Sequence, residues 1–396
     1  MKTVCGLDVH KDTIFVCILK EDGTKELSEC TTMTPDLHKL RSLLKVKGVR
    51  QVAMESTGIY WIPIWRVLEA EDFELILVNP YFIKQIPGRK TDVKDSQWIA
   101  MLLMKGLLRG SYIPDKRLRE LREYGRKEVK LCSQLNRVEM EIDRQLAKCN
   151  IRITSLASKI NSQTVMKVVK AIIDGETQPE KLETLVHGRI RNKYKEQVRA
   201  ALTGTIAPHD VLLLRQSYQV HTLFLSQKEE LHQAMSAICE RDFKDELALL
   251  CSIPGIQQTG AMQIIAEVGF SVKAFITAAA LCGWAGLRPR NDESAGKIKS
   301  KKILHGNKYI RRILVQCAWA ASRTKGSRFQ WKFDELCKRI SSKKALIAIA
   351  RKLLVTIWCV LHDQVPYQPR PFIVDEKKRQ RQILYYRTQL DSLLTN

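Results

Sequence analysis

Lys2 to Asp8 (KTVCGLD) and Thr13 to Leu19 (TIFVCIL) are short, β-branched, apolar runs separated by the polar turn Val9-His10-Lys11-Asp12, and together they open a sheet. Glu21-Asp22-Gly23-Thr24 is a hairpin signal leading into a third run, Lys25 to Thr32, so three strands follow one another as a meander. Further along, Leu37, Leu40, Leu43 and Leu44 give Pro35 to Lys45 a helical spacing, and Gln51 to Met54 returns as a strand ending on Glu55-Ser56-Thr57-Gly58. Tyr60 to Glu69 reads as a helix, Leu75 to Asn79 as a buried strand stopped by Pro80, and the chain from Asp92 onward as another helix.

The resulting order, βββαβαβα, is that of the ribonuclease H fold, with the first strand central and the fourth beside it. Asp8 and Glu55 would then emerge on neighbouring strands, and Asp92 and Asp95, three apart, would share the first turn of the last helix. A helix N-terminus suits carboxylates electrostatically. Four acids from separate elements form the kind of cluster that holds a pair of Mg²⁺ ions for phosphodiester chemistry. The plainer reading is that single acids are solvated surface residues or helix caps. Asp8 departs from it, because it ends an apolar strand where an unpaired carboxylate is costly.

Composition favours a nucleic-acid partner. The 396 residues suffice for two or three domains with full cores, and 66 Lys and Arg against 42 Asp and Glu leave a formal net charge of +24. Such an excess suits a polyphosphate better than a small metabolite. The 11 cysteines are scattered singly without a Cys-x-x-Cys pair, which indicates reduced thiols rather than a zinc site or a disulfide framework. The N-terminus runs into a strand with no signal peptide. Ala345 to Val360 is apolar but interrupted by Arg351 and Lys352 and too short for a membrane span, so it reads as a core helix and no membrane partner is expected.

From Leu118 to about Asn150 the chain is charged and helical, with an apolar stripe at Leu131, Leu135, Val138, Ile142, Leu146 and Cys149. A second stripe, Leu213, Val220, Phe224, Leu231, Ala234 and Ile238, runs close to a 3.5-residue period. The two helices would form an antiparallel arm that joins protomers, or pack on their own domain. Ile151 to Pro208 between them is mixed, mostly helical and silent about chemistry.

A third region opens at Leu249. Ser252-Ile253-Pro254-Gly255-Ile256 followed by the helical run Gly260 to Val268 and Gly269 resembles a helix-hairpin-helix element with Gln257 in place of its usual second glycine, so packing and phosphate contact stay equally open. The run Asn291 to Lys302 (NDESAGKIKSKK) has no apolar period and is expected to be a loop. Gly296 to Arg312 holds seven Lys and Arg and no acid. Cations around an exposed serine would stabilise charge developing on an attacked phosphate. Arg288, Arg290, Lys297, Lys299, Lys301, Lys302, Lys308, Arg311 and Arg312 are the candidate nucleic-acid contacts.

Gly6-Leu7-Asp8-Val9-His10-Lys11, Met54-Glu55-Ser56-Thr57-Gly58 with Tyr60-Trp61, and Lys90-Thr91-Asp92-Val93-Lys94-Asp95 resemble the three N-terminal motifs of the IS110 family of insertion-sequence transposases. Ser252-Ile253-Pro254-Gly255-Ile256, Trp284-Ala285-Gly286-Leu287-Arg288-Pro289, Ser294-Ala295-Gly296-Lys297, Gly306-Asn307-Lys308 and Arg311-Arg312 resemble its second block, in order. The resemblance implies an α/β plus α chain: a ribonuclease-H-like (RuvC-like) DEDD domain over 1–115, a helical coiled-coil assembly region over 116–245, a mainly helical transposase domain over 246–365 and a basic tail over 366–396. It implies a recombinase that excises and inserts a mobile element, with Asp8, Glu55, Asp92 and Asp95 as the Mg²⁺-binding tetrad, two ions, and Ser294 as a nucleophile forming a phosphoserine link. The implied partners are double-stranded DNA of element ends and target, a non-coding bridge RNA, and further copies of the chain as a dimer or tetramer. The implied location is the cytoplasm of a prokaryote, at the nucleoid. Ala295 stands where the family often has glycine. Two other readings compete: a RuvC-type junction nuclease, which leaves the C-terminal block idle, and a non-catalytic nucleic-acid-binding protein. Ser300 is the alternative nucleophile.

Overall fold

The computed structural model describes residues 2–56, 58–84, 95–272, 274–289, 292–294, 297–300, 303, 305–369, 380, 383–388 and 390–391. The chain forms two compact units, Met1–Pro114 and Asp115–Asn396.

The first unit runs β1 (Thr3–Val9), β2 (Thr13–Lys20), β3 (Lys25–Thr31), α1 (Thr34–Val46), β4 (Gln51–Ser56), α2 (Trp61–Leu68), β5 (Glu74–Val78), α3 (Pro80–Lys84) and α4 (Asp95–Met104). Its sheet has the order β3-β2-β1-β4-β5, with β1 antiparallel to β2 and parallel to β4. The first strand is therefore central with the fourth beside it, as expected. Successive residues of a strand face opposite ways. Cys5, Leu7 and Val9 face a core built with α1 and α2, whereas Val4 and, across the ladder, Ala53 join a core that includes Trp98, Ile99 and Leu102 of α4. Gly6 also faces α4: a Cβ there would lie 2.3 Å from the Ser96 carbonyl oxygen and 2.5 Å from the Ala100 nitrogen. Pro80, expected only to stop a strand, opens the short helix α3. A first helical position suits proline, whose missing N–H would find no partner there anyway.

The second unit is almost wholly helical: α5 (Lys116–Lys148), α6 (Ile153–Leu156), α7 (Gln163–Ile173), α8 (Pro179–Thr184), α9 (Gly188–Leu202), α10 (Pro208–Asp242), α11 (Lys244–Cys251), α12 (Gln258–Val268), α13 (Ala278–Trp284), the strands β6 (Asp292–Ser294) and β7 (Lys297–Ser300), then α14 (Lys308–Ala321), α15 (Arg328–Cys337) and α16 (Ser342–Asp363). Asp115 caps α5 by accepting from the Leu118 N–H at 3.0 Å. Helices α5 and α10 lie antiparallel, since Gln145 donates to Asp210 at 2.7 Å near one end and Arg117 pairs with Asp242 at 3.6 Å near the other.

The stripe from Leu131 to Cys149 is buried inside the chain. Its counterpart on α10 holds at Ile238, which is buried, and at Phe224, which packs against the core, but shifts by one residue near the start of the helix: Leu214 and His221 are buried, whereas Leu213 is 43% and Val220 38% exposed. Three consecutive leucines, Leu212 to Leu214, make the period ambiguous, and packing against α5 selects Leu214. Helices α6 to α9 form their own small core with Ile142, Leu146 and Leu214. The remaining helices enclose a second core around α12, α14 and α16. Helix α16, at 22 residues, is long and apolar enough to cross a membrane, so the argument from length fails. Its inward face nevertheless packs as core, with Ile349, Leu353, Leu354 and Ile357 wholly buried.

The expected loop Asn291 to Lys302 contains a hairpin among its described residues, with Ser294 paired to Lys297 and an irregularity between Asp292 and Glu293. A short ladder depends on backbone hydrogen bonds, so a polar strand shows no apolar alternation to read. Glycine at position 6 is needed for space, and Gly6→Ala is expected to cost the first unit about 3 kcal/mol through overpacking. Hydrogen exchange of β1 and α4 amides should then accelerate while α14 and α16 stay unchanged; wild-type protection in β1 would refute the close approach.

Candidate active site

The register of the first sheet sets Asp8 directly opposite Glu55 on parallel strands. Paired residues of a ladder project to the same face. By alternation from Gly6, that face is the one α4 covers, and α4 begins at Asp95, one residue before the Ser96 whose carbonyl sits against Gly6. Three of the four acids thus belong to one side of the sheet. Asp92 lies outside the described residues.

Asp8 is 17% exposed and its carboxylate meets His10 Nε2 at 3.2 Å. The imidazole in turn packs edge-on against Phe15, with ring centroids 5.8 Å apart. His10 received no role from the sequence, although its spacing of two from Asp8 near the strand end places both on one face. All-oxygen donors fit a hard divalent cation. Two carboxylates abreast repel unless a cation or proton lies between them. Among the described residues, no three His, Cys, Asp or Glu side chains are close enough together to hold a metal ion.

In the second unit, Ser294 ends β6 opposite Lys297, and the chain then returns along β7 to the start of α14. For Ser294, Lys297, Lys299 and Ser300 only the backbone is described, and Arg290, Lys301 and Lys302 lie outside the described residues. Arg288 is exposed. Lys308 lies over the Tyr309 ring at 5.3 Å. Arg311 is half-buried, and Arg312 donates to the Val129 carbonyl at 3.3 Å, so part of its hydrogen-bonding capacity serves the fold.

A buried ionic junction fixes where that hairpin rejoins the core. Glu267 of α12 is 4% exposed and accepts two bonds from Arg126 of α5, at 2.7 and 3.0 Å, and one from Asn307 Nδ2 at 2.6 Å. Asn307 Oδ1 caps α14 by accepting from the Tyr309 and Ile310 N–H groups, and its own N–H donates to the Trp284 carbonyl at 3.0 Å. Arg122 adds bonds to the carbonyls of Ala266 and Glu267. Gly306 abuts Gly286 so closely that a Cβ would lie 2.2 Å from its nitrogen. Sequence reasoning missed Glu267 and Arg126. The available signal was a lone acid in the otherwise apolar run Ala261 to Val268, apart from Gln263.

One side of the helix-hairpin-helix-like turn packs against α14, while Gln257 to Thr259 are exposed. Gly255 has φ +86°, and a Cβ there would lie 2.4 Å from the Ala321 nitrogen. Ser252 Oγ donates to Leu249 O at 2.6 Å and accepts from the Tyr367 N–H at 2.8 Å.

Breaking one half of a buried, fully bonded ion pair costs about 3–5 kcal/mol, while replacing both partners by apolar residues is often nearly neutral. Glu267 is buried but the Arg126 side chain is 41% exposed, so Arg126→Met is expected to destabilise the second unit by less than that, about 2 kcal/mol, and Arg126→Met with Glu267→Met to recover most of it. Hydrogen exchange in α12 and α14 reads both, and strictly additive losses would show that the pair does not act as a unit.

A family model for IS110 DEDD transposases, described as a transposase, matches residues 5–151, and a second, described as transposase IS116/IS110/IS902 family, matches residues 247–333. The chain is 32% identical over 127 residues to the insertion element IS900 uncharacterized 42 kDa protein of Mycobacterium paratuberculosis, covering 31% of this chain and 31% of that protein. It is 29% identical over 143 residues to the pilin gene-inverting protein of Moraxella bovis, covering 35% of this chain and 44% of that protein. The pilin gene-inverting protein of Moraxella lacunata matches to the same extent. The matched regions span less than half the length of each of these relatives.

Proposed function

This chain belongs to the IS110 family of transposases, and from that premise we propose that it is a DNA recombinase that excises and inserts a mobile element by cleaving and rejoining strands. The observation that carries the reading is the parallel register of Asp8 with Glu55 on the face that α4 covers from Asp95 onward. We read the first unit as ribonuclease-H-like, of the RuvC type, on its strand order and central β1. The similarity to proteins named for inverting a pilin gene favours rejoining over simple hydrolysis.

In this proposal Asp8, Glu55, Asp92 and Asp95 hold two Mg²⁺ ions. When bound, the ions supply Lewis-acid polarisation of the scissile phosphate. His10 holds one oxygen of the Asp8 carboxylate through its Nε2 contact at 3.2 Å. Ser294 Oγ attacks phosphorus: the serine O–P bond forms as the P–O bond to the leaving strand breaks, and the serine proton ends on the leaving oxygen. A strand hydroxyl then attacks the phosphoserine, reforming a phosphodiester and returning a proton to Ser294. Lys297 and Lys299, carried on the hairpin with Ser294, supply positive charge along the same element.

The proposed partners are double-stranded DNA of element ends and target, a bridge RNA encoded by the element, and further copies of this chain. Because Leu135 and Ile142 are spent inside the chain, protomers would join through the exposed residues of α10, among them Leu212, Leu213, Val220 and Leu223.

Trapping on a nicked element-end DNA with Mg²⁺ tests the chemistry. The wild type should form a covalent protein–DNA adduct that Ser294→Ala abolishes with DNA binding intact, and Asp8→Ala or Glu55→Ala should slow cleavage at least about 100-fold. An adduct that persists in Ser294→Ala, or is lost only in Ser300→Ala, removes the serine assignment; hydrolysis without rejoining would favour a junction nuclease. Independently, purification from the host should bring down one discrete RNA transcribed beside the gene. Recovery of heterogeneous RNA alone, released by salt, would remove the guide from the proposal.

A further inference from the structure

Helices α6 to α9 sit where α5 ends and α10 begins, between the two stretches matched to the transposase family. Leu146, which joins their small core, is about 30 Å along α5 from Arg126 and the junction that carries the serine hairpin. The first half of α9, Gly188 to Tyr194 (GRIRNKY), breaks the rules that stabilise a helix on its own. Acids suit a helix N-terminus and cations its C-terminus, yet the first turn of α9 holds no acid, and Arg189, Arg191, Lys193 and Lys195 follow at every second position. Arg189 with Lys193, and Arg191 with Lys195, are like charges four apart, which repel on a helix. The one acid of α9, Glu196, comes only after the kink at Lys195. All four cations are exposed, and among the described residues none of them forms an ion pair. Lys193 rests over the Tyr194 ring at 4.8 Å, a contact that leaves its charge in place. The neighbouring cations differ: Lys181 is held by Glu176 at 3.1 Å and Arg199 by Glu183 at 3.0 Å. Local rules broken without compensation inside the fold mark a place where something outside it supplies the compensation.

The arrangement of those cations is two-sided. Ile190 and Tyr194 pack against the core of α6 to α9 and so fix the inward face. At about 100° per residue, the direction opposite to them belongs to Asn192, which is exposed. Arg189 and Lys193 then line one flank of the outward face, and Arg191 lines the other, joined by Lys195 at the kink. A polar ridge with cations on both sides fits between two rows of phosphates. The major groove of B-form DNA is about 12 Å wide and an α-helix with its side chains about 10–12 Å across, so a helix lying in it meets the phosphates of both strands. The major groove of an A-form RNA duplex is too deep and narrow to admit side chains, and a single strand offers only one row of phosphates.

We propose that the first half of α9 seats in the major groove of duplex DNA, with Arg189 and Lys193 on the phosphates of one strand, Arg191 and Lys195 on those of the other, and Asn192 toward the base edges. The Asn192 amide both donates and accepts, as that groove requires. This contact rests on the reading of the chain as a DNA recombinase and gives it a duplex-binding surface on elements separate from the serine hairpin.

The test uses the full chain and a labelled DNA duplex of about two helical turns, with anisotropy followed across salt concentration. Arg191→Gln with Lys193→Gln should weaken binding at least about tenfold and reduce the salt slope by about 1.8, the value for two phosphate contacts on B-form DNA. Lys181→Gln with Arg199→Gln removes the same charge from cations already neutralised within the fold, and should stay within about twofold of wild type. Asn192→Glu sets a carboxylate among the four cations, which relieves their repulsion, so the melting temperature should not fall while DNA binding weakens at least about tenfold. A duplex whose major groove is filled by glucosylated hydroxymethylcytosine should be bound equally by wild type and Asn192→Glu. Variants of α9 that bind the plain duplex as tightly as the Lys181, Arg199 pair overturn the proposal, as does an equal loss of affinity for an RNA duplex of the same length. If the Arg191, Lys193 pair melts, Asn192→Glu alone carries the test. A wild type that binds no DNA overturns the functional reading as well, so the two failures are distinguishable.

Discussion

The pairing of β1 with β4 is the constraint on which the first unit's site depends. In a ladder of period two, a slip by one residue moves every side chain to the opposite face. Leu7, wholly buried in the core under α1 and α2, would then exchange places with Asp8. The cost of burying that carboxylate without partners exceeds what most single core contacts contribute. The apolar residues Cys5, Leu7 and Val9 thus fix the register, and the register puts Asp8 opposite Glu55. Gly6 completes the arrangement by letting the backbone of α4 rest on the strand just before the carboxylate.

The second unit solves a different problem, which is how to hold a polar hairpin on a helical body. Its answer is the junction of Arg126, Glu267 and Asn307, in which one buried carboxylate ties α5, α12 and the start of α14 together. Such a pair is weak evidence for stability, since desolvation offsets much of its attraction. Its geometric content is larger. Every oxygen of Glu267 has a donor, and Asn307 cannot rotate without giving up the cap of α14. The chain therefore leaves the hairpin and enters the helix at one defined point.

The legible parts were those governed by apolar periodicity. The meander, the central strand, the helix over Leu131 to Cys149 and the core character of α16 follow from which residues must leave water. Three kinds of feature stayed hidden. The hairpin at Ser294 is made by backbone bonds between polar residues, so side-chain pattern carries no trace of it. The seam of α10 had two apolar candidates at Leu213 and Leu214, and only its contact with α5 decided between them. Arg126 and Glu267 are 141 residues apart, a pairing that only the folded chain specifies. At the candidate site, the juxtaposition of Asp8 and Glu55 on neighbouring strands was legible from strand order, whereas His10 needed its partner's oxygen at 3.2 Å to be noticed.

Net charge is too coarse a quantity to locate a nucleic-acid surface in so basic a chain. The fold itself consumes some of the excess: Arg122 and Arg126 are engaged by Ala266 and Glu267, and Arg312 donates to Val129. Substituting these cations would disturb the structure as well as the charge. The degree to which each cation is already satisfied by the fold therefore separates structural from functional charge more sharply than the total of +24 does.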